Sequence, residues 1–239
     1  MKKKTSVRIN SRISADILYE DRDVIALNKP PGVLSVPVPG MKSDNLLEAV
    51  QHYLDDVKRK AHTVHRIDRY TSGVVLFAKN RKSRDPLIAQ FRNHEPARIY
   101  LALVRGVPQK EEDELIHYLK RIKEGFRNVV VSKEDPSGTR ARLNYRVIEK
   151  YNGASLLEIA LDTGLKNQIR VQLSEIGHPT VGDRHYAEGE KDEPLIDRQA
   201  LHASRLEFVH PATGRVICIE APIPKDLKRL LVYFKNRTK

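Results

Sequence analysis

Apolar and polar residues alternate over short segments along much of this chain, a pattern that favours strands. Residues 17–19 and 24–27 predict a β-hairpin around an acidic turn. The second strand should end at residues 29–32, Lys-Pro-Pro-Gly, because proline cannot continue a hydrogen-bonded ladder. Residues 74–78 form a continuous apolar run, which predicts a buried central strand. Residues 1–16 lack a sustained apolar pattern, and we expect them to form a basic, mobile arm.

Apolar residues spaced three or four apart predict four helices. The predicted helices span residues 43–57, 86–91 (with Pro86 in the first turn), 168–176 and 225–234. Further strands are predicted at residues 98–104, 115–119, 129–132, 140–149, 155–161, 206–209 and 215–220. Strands outnumber helices and connect mainly through hairpins. We therefore expect an α+β fold with a single domain over residues 17–239, rather than regular βαβ winding.

Composition narrows the class of protein. The net charge of +12 on 239 residues favours a polyanionic partner, and nucleic acid is the common one. The single cysteine, Cys218, cannot form an internal disulfide or supply a cysteine-rich metal site. No apolar run approaches the roughly 20 residues that cross a bilayer, and no apolar region follows the basic start. We expect a cytoplasmic protein without a membrane partner, and a monomer by default.

The segment His-Arg-Ile-Asp-Arg-Tyr-Thr-Ser-Gly, residues 65–73, carries the first candidate chemistry. Asp68 lies in a polar loop that opens directly onto the predicted central strand, and catalytic groups often occupy such loops. Its neighbours Arg66 and Arg69 would keep the carboxylate ionised. From this segment alone, an aspartate that caps a turn or pairs with arginine is the stronger interpretation.

The residues around Asp68 do not favour a metal site, a serine hydrolase or a nucleotide-binding site. A metal site built on His62, His65 and Asp68 lacks a second ligand cluster. A hydrolase that uses Asp68 with His65 lacks the Gly-x-Ser-x-Gly elbow around its serine. No phosphate-binding glycine loop indicates a nucleotide cofactor.

Two later segments offer an aromatic residue and a cation. Residues 98–106 form a predicted strand that places Tyr100 and Ala102 on one face. Residues 161–173 lead into a predicted helix with Arg170 on its shoulder. A core tyrosine and a solvent-exposed arginine are the ordinary interpretations of Tyr100 and Arg170.

In this order, the three segments resemble the RluA-type family of RNA pseudouridine synthases. Residues 65–79 resemble the family's His-Arg-Leu-Asp-x-x-Thr-Ser-Gly and its following strand. Residues 98–106 resemble Lys-x-Tyr-x-Ala-Leu-Val-x-Gly, and residues 163–173 resemble Thr-Gly-Arg-x-His-Gln-Ile-Arg-Val-His-Leu. Shorter matches at residues 28–32, 176–183, 201–203 and 208–214 extend the resemblance over about residues 17–223.

The resemblance implies a mixed, largely antiparallel sheet with peripheral helices and a central active-site cleft. It implies isomerisation of uridine to pseudouridine in structured ribosomal or transfer RNA, with no cofactor and no metal. Asp68 corresponds to the family's catalytic aspartate, Tyr100 to its active-site tyrosine, and Arg170 to the arginine that pairs with the aspartate. Arg66 matches the side chain that fills the gap left by a flipped nucleotide. With His65 and Arg69, Arg66 completes the expected RNA contacts.

The chain departs from the family pattern at a few positions. Arg98 replaces a lysine, Leu165 replaces an arginine, and Asn167 replaces a histidine, while Lys166 offers a charge one position away from Leu165. The residues before position 17 are too few for the S4 module of many relatives, so we expect a stand-alone catalytic domain. An inactive RNA-binding or chaperone-like module on the same fold is the alternative. The presence of the aspartate at position 68 favours an active enzyme over this inactive module.

Overall fold

The computed structural model describes residues 5–122, 127–187 and 195–237. The strands are β1 Ser6–Arg8, β2 Ser14–Glu20, β3 Val24–Lys29, β4 His62–Thr63, β5 Ser72–Ala78, β6 Ala97–Arg105, β7 Glu112–Arg121, β8 Asn128–Val131, β9 Thr139–Tyr151, β10 Ala154–Leu161, β11 Leu201–Val209 and β12 Val216–Glu220. The helices are α1 Leu46–Asp55, α2 Arg81–Arg92, α3 Gln168–Glu175 and α4 Lys225–Asn236. The predicted α+β class with a mostly antiparallel sheet is confirmed.

The chain divides into two compact units, which we describe separately. Unit 1 comprises Met1–Ala97 and Ala203–Pro222, and unit 2 comprises Arg98–His202 and Ile223–Lys239. The single catalytic domain expected over residues 17–239 stays a prediction.

Unit 1 is organised around β5, whose seven residues are all buried. Antiparallel pairing joins β5 to β3 and to β4, β3 to β2, and β11 to β12. Its apolar core includes Val24, Leu76, Leu87 and Phe208. The continuous apolar run of β5 is explained by this burial, since a strand covered on both faces has no polar side.

Unit 2 is built on antiparallel pairing of β10 with β6 and β9, and of β7 with β8 and β9. The helix α4 buries Leu227, Leu230 and Phe234 against this unit's core. These positions are three and four residues apart, so they form one face of the helix.

Helix α2 begins earlier than the sequence pattern predicts. Asn80 caps it by accepting a hydrogen bond from the Ser83 backbone N–H, and the helix extends from Arg81 to Arg92. Pro86 therefore lies inside the helix, and the prediction that it belongs to the first turn is wrong. The helix begins after the Asn80 cap, whereas the sequence pattern predicts that it begins at Pro86.

The N-terminal segment is more ordered than expected. Ser6–Arg8 form β1, which pairs with β2 in the register Ser6 to Asp16. The expectation of a mobile arm is therefore wrong for the paired residues, and residues 1–4 lie outside the described part of the chain. Across the described ranges, the longest helices have 12 residues, and none is long and apolar enough to cross a membrane.

Candidate active site

The Asp68 loop is fixed on both sides of the aspartate through main-chain atoms. Before it, the Ser35 hydroxyl donates to the Ile67 carbonyl at 2.9 Å and accepts from the Ile67 N–H at 3.2 Å. After it, the Gly32 N–H donates to the Arg69 carbonyl at 2.9 Å, and Arg69 Nε donates to the Gly32 carbonyl at 2.8 Å. Asp68 itself is half-buried. Two anchored neighbours fix the backbone position of Asp68, and a fixed backbone is what a precisely placed side chain requires.

Lys29 is the buried residue that organises this loop. Its side chain is 0% exposed, and Nζ donates to the carbonyls of Pro30, Val33 and Arg69 at 2.9, 2.8 and 2.8 Å. A buried ammonium is tolerated only when its donors are satisfied. Lys29 therefore joins the Pro-Pro-Gly turn that follows β3 to the loop that carries Asp68.

The start of β5 is held by close backbone packing. Gly73 has φ of +116°, and a Cβ there would lie 2.1 Å from the Ala203 carbonyl oxygen. Only glycine fits this position, because any side chain would strike the backbone of β11. The close approach explains why glycine ends the 65–73 motif.

His65 has structural contacts within unit 1. Its ring stacks on Phe91 with centroids 4.5 Å apart, and Nε2 accepts a hydrogen bond from the Leu76 N–H at 3.0 Å. These contacts place the ring against β5 and α2. The RNA contact expected at His65 stays a prediction.

Arg66 and Arg69 differ in their surroundings. Arg66 is exposed, whereas Arg69 is half-buried, bonded to Gly32, and has its guanidinium carbon 5.4 Å from the centre of the Tyr70 ring. Arg66 is therefore the less constrained of the two side chains, and the RNA contacts expected at Arg66 and Arg69 stay predictions.

In unit 2, Tyr100 lies on β6, where 8% of it is exposed. Two residues earlier, Arg98 Nη2 donates to the Asp162 carbonyl, and a Cβ at Gly164 would meet Arg98 Nη1 at 2.7 Å. Burial lowers the pKa of Arg98, against the opposing influence of Tyr100 and Asp162. The arginine that replaces the family's lysine thus packs on the loop before α3.

Arg170 is buried, contrary to the exposed position that is ordinary for an arginine on a helix. Its Nε and Nη2 donate to Asp183 at 2.7 and 2.8 Å, and its guanidinium carbon lies 5.0 Å from the centre of the Tyr186 ring. Asp183 also accepts from Thr180 Oγ1 at 3.1 Å. A bidentate pair fixes the plane of the guanidinium as well as its position. The pairing of Arg170 with Asp68 stays a prediction.

The departures from the family pattern have local explanations in unit 2. Leu165 packs against a small apolar cluster that includes Leu119 and Val171, where an arginine could not be buried without a partner. Asn167 has φ of 55°, a left-handed conformation that asparagine tolerates better than most residues. Gln168 holds the loop by accepting from Thr163 Oγ1 at 2.8 Å and from the Leu165 N–H at 3.1 Å.

A group that could hold a metal lies elsewhere in unit 1. It consists of Asp21, Asp23 and His210. His210 Nε2 lies 2.8 Å from Asp21 Oδ2, and Asp23 Oδ1 accepts from Asn80 Nδ2 and Ser83 Oγ at 2.8 and 2.9 Å. Since groups of the protein already contact these carboxylates, we interpret the cluster as an ion pair and a set of hydrogen bonds that fix the β2–β3 turn.

The family model described as RNA pseudouridylate synthase matches residues 23–175, which include Asp68, Tyr100 and Arg170. The chain belongs to the RNA pseudouridine synthase family. It is therefore classed with isomerases, and the RluA-type resemblance of its motifs is confirmed.

Curated members of the pseudouridine synthase family match most of the chain. Ribosomal large subunit pseudouridine synthase C of Escherichia coli is 39% identical over 92% of this chain and 70% of its own length. Ribosomal large subunit pseudouridine synthase D of Nitrosomonas europaea is 35% identical over 94% of this chain and 66% of its own. The solved structure of human RNA pseudouridylate synthase domain containing 4 has a TM-score of 0.77 and 20% identity, with 92% of each chain covered. That likeness confirms the fold.

The sequence motifs include the predicted site residues but not every residue that holds one of them in place. Lys29 and Asp183 lie in motifs that the family resemblance includes, which is a usable signal. Ser35 lies outside every motif, and only the structure shows its two bonds to Ile67.

Proposed function

We propose that this protein isomerises uridine to pseudouridine in ribosomal RNA, with Asp68 as the catalytic carboxylate. The observation that carries the proposal is the doubly anchored loop that fixes Ile67 and Arg69 on either side of Asp68. Ribosomal RNA is favoured over transfer RNA because the Escherichia coli and Nitrosomonas europaea relatives are named for the large ribosomal subunit. The net charge of +12 suits such a substrate.

The carboxylate of Asp68 can act as a nucleophile toward the ribose of a flipped uridine. It attacks C1′ as the bond from C1′ to N1 breaks and the electron pair leaves with the base. The base then turns, C5 attacks C1′ and displaces the carboxylate, C5 loses its proton, and N1 gains one. No electrons are gained or lost overall, so the reaction requires no redox cofactor.

The other proposed roles follow from residue chemistry. Tyr100 packs on the uracil ring and helps to remove the C5 proton. Arg170 supplies positive charge to the reaction, and Asp183 holds its guanidinium in one orientation. Arg66, which is exposed, enters the gap left by the flipped nucleotide and offsets part of the few kcal/mol that extrusion costs. We propose that the protein acts as a cytoplasmic monomer.

Tritium release tests the proposal directly. Total RNA from a strain that lacks the gene is labelled with tritium at uridine C5 and incubated with the purified protein. We expect the wild type to release tritium and Asp68→Asn to release none while it still binds RNA. Asp16→Asn, at an exposed aspartate of β2, is the matched control and should keep full activity.

The same experiment decides between the enzyme and an inactive RNA-binding module. A wild-type protein that releases no tritium from any RNA pool would overturn the proposal. Release that persists in Asp68→Asn would show that another group performs the chemistry. Mapping pseudouridines in ribosomal RNA with and without the gene then identifies the target.

A further inference from the structure

Unit 1 contains a basic cavity that the proposed chemistry does not use. Its volume is about 880 Å³. Its cationic lining residues include Arg22, Lys58, Arg59, Lys60, Arg81 and Lys82. The carboxylate that also lines it, Asp23, accepts hydrogen bonds from Asn80 and Ser83. The cavity therefore carries a concentrated positive charge.

Several of these cations lack a counter-charge in the protein. Among the residues that the structure describes, Lys58, Lys60, Arg81 and Lys82 form no side-chain ion pair, and all four are exposed. Burial and the charges of Arg84, Lys60 and Arg81 together lower the pKa of His62, which also lines the cavity. Cations held close together without partners favour a polyanionic ligand.

The N-terminus of α2 strengthens this positive field. Its first turn contains no acidic residue but does contain Arg81 and Lys82. The partial positive charge at a helix N-terminus disfavours cations there. Two cations at this position destabilise the helix, and a phosphate group bound between them would offset that destabilisation.

The cavity lies at the opposite end of β5 from the proposed catalytic loop. Ser72 begins β5 four residues after Asp68, and Lys79, which lines the cavity, directly follows its last residue. A seven-residue strand spans roughly 20 Å. A single nucleotide at Asp68 cannot reach this far, so one ligand that contacts both ends must be an extended one.

We propose that this cavity is a second RNA-binding site, which holds backbone phosphates of the substrate one strand length away from the target uridine. The inference rests on the proposed function, since it takes RNA as the substrate. It predicts that a long structured RNA binds more tightly than a short fragment that contains the target alone. Phosphate contacts give affinity and orientation, whereas the residues around Asp68 act on the base.

A charge-neutralising variant tests the site. In K60Q/R81Q/K82Q, we expect the affinity for ribosomal RNA from the gene-deletion strain to fall at least tenfold. The slope of log affinity against log salt concentration should decrease in magnitude by about 2 to 3, because each phosphate contact contributes roughly 0.7 to 0.9. The variant should fold normally, since the helix dipole disfavours the two cations that it removes from α2.

The matched control is K225Q/K228Q/R229Q, which removes the same charge from exposed positions of α4. This control should match the wild type in RNA affinity, in salt dependence and in KM for tritium release. The cavity variant should raise KM at least tenfold and leave kcat within about twofold at saturating RNA.

The two hypotheses fail in different ways. If the cavity variant and the α4 control have the same affinity and the same salt slope, the second RNA site is wrong, whatever the enzyme does. A fall in kcat with KM unchanged also overturns it, because a docking site acts on binding. If the wild type releases no tritium from any RNA, the proposed function is wrong, and the salt slopes still decide whether the cavity binds RNA.

Discussion

Arg170 and Asp183 form a bidentate ion pair in the interior of unit 2. The Nε–Oδ2 and Nη2–Oδ1 distances are 2.7 and 2.8 Å, and the two side chains are 6% and 0% exposed. Burial alone would raise the pKa of Asp183, but the hydrogen bonds and the charge of Arg170 hold it below its ordinary value. The carboxylate is therefore ionised at neutral pH, and the arginine has a fixed orientation.

Replacing Asp183 by asparagine should reduce both stability and activity. The change removes the buried carboxylate charge that accepts two hydrogen bonds from Arg170, and breaking a buried ion pair costs about 3 to 5 kcal/mol of unfolding free energy. We expect kcat for tritium release to fall at least tenfold, because the guanidinium loses its orientation. Urea unfolding and tritium release measure the two effects.

A similar pair in unit 2 provides the control for Asp183→Asn. Arg198 Nε and Nη2 donate to Asp226 at 2.7 and 3.0 Å. Asp226→Asn should also destabilise the protein, but it should leave kcat within about twofold under conditions where the protein is folded. Equal losses of kcat in the two variants would mean that Asp183 serves stability alone.

Lys29→Met should destabilise the Asp68 loop. The substitution keeps an unbranched side chain but removes the common donor of the Pro30, Val33 and Arg69 carbonyls, of which the Arg69 carbonyl still accepts from the Gly32 N–H. Unsatisfied buried groups cost about 1 to 3 kcal/mol each, although relaxation of the loop will recover part of this. We expect a loss of roughly 2 to 4 kcal/mol in urea unfolding. Lys228→Met, at an exposed site, should change stability by less than about 0.5 kcal/mol.

Gly73→Ala should disrupt the start of β5. Its Cβ would strike the Ala203 carbonyl and would also strain a backbone at φ of +116°. Gly153 provides a matched comparison, because it has φ of +78° and a Cβ added there would meet no atom within 4 Å. Gly153→Ala should therefore cost only the backbone strain, about 1 kcal/mol, whereas Gly73→Ala should cost at least about 3 kcal/mol in unfolding free energy. Similar losses in both variants would contradict the close approach.

The stability of unit 2 should depend on pH through His117. Gln172 Nε2 lies 3.1 Å from His117 Nδ1, and burial lowers the pKa of His117 despite the nearby Glu175 carboxylate. A histidine whose pKa is below its unfolded value of 6.5 binds its proton more readily when the protein unfolds. The contribution of neutral His117 to the free energy of unfolding is therefore complete above pH 6.5, and it is lost as the pH falls below 6.5.

His117→Gln should therefore weaken the pH dependence of unfolding. Between pH 7.5 and 5.5, we expect the free energy of unfolding to decrease less in this variant than in the wild type. His52→Gln is the control, because His52 is an exposed residue of α1 with 84% of its side chain accessible. A wild-type decrease that His117→Gln leaves unchanged would contradict the assignment.

The local sequence pattern predicts helices and strands well where the apolar residues of one segment alone show which side of it is buried. The buried β5 follows from a run of apolar residues, and the apolar face of α4 follows from its helical spacing. The pattern misplaces the start of α2 because proline is common in first turns, so Pro86 gives a stronger signal than the asparagine that caps the helix. Strand β1 is not predicted, because three residues are too few to show the alternation of apolar and polar side chains that marks a strand.

The candidate site is predictable only in part. The family motifs identify Asp68, Tyr100 and Arg170, but they do not show how each is held. Lys29 bonds to Arg69, 40 positions later in the chain, and Arg170 bonds to Asp183, 13 positions later. Neither contact can be read from the local sequence pattern. A charged residue normally indicates a surface position, so the sequence pattern alone places Arg170 incorrectly and gives no reason to expect a buried Lys29.

Ser35, Lys29 and Gly32 hold the loop that carries Asp68 by bonding to backbone atoms of Ile67 and Arg69. The exposed side chain of Arg66 takes no part in these bonds, so it can change without altering the path of the loop. Related sequences can therefore differ at position 66 while the backbone beside the aspartate stays in place. Because we propose that Arg66 contacts RNA, this position is the natural starting point for redirecting the enzyme to a new uridine.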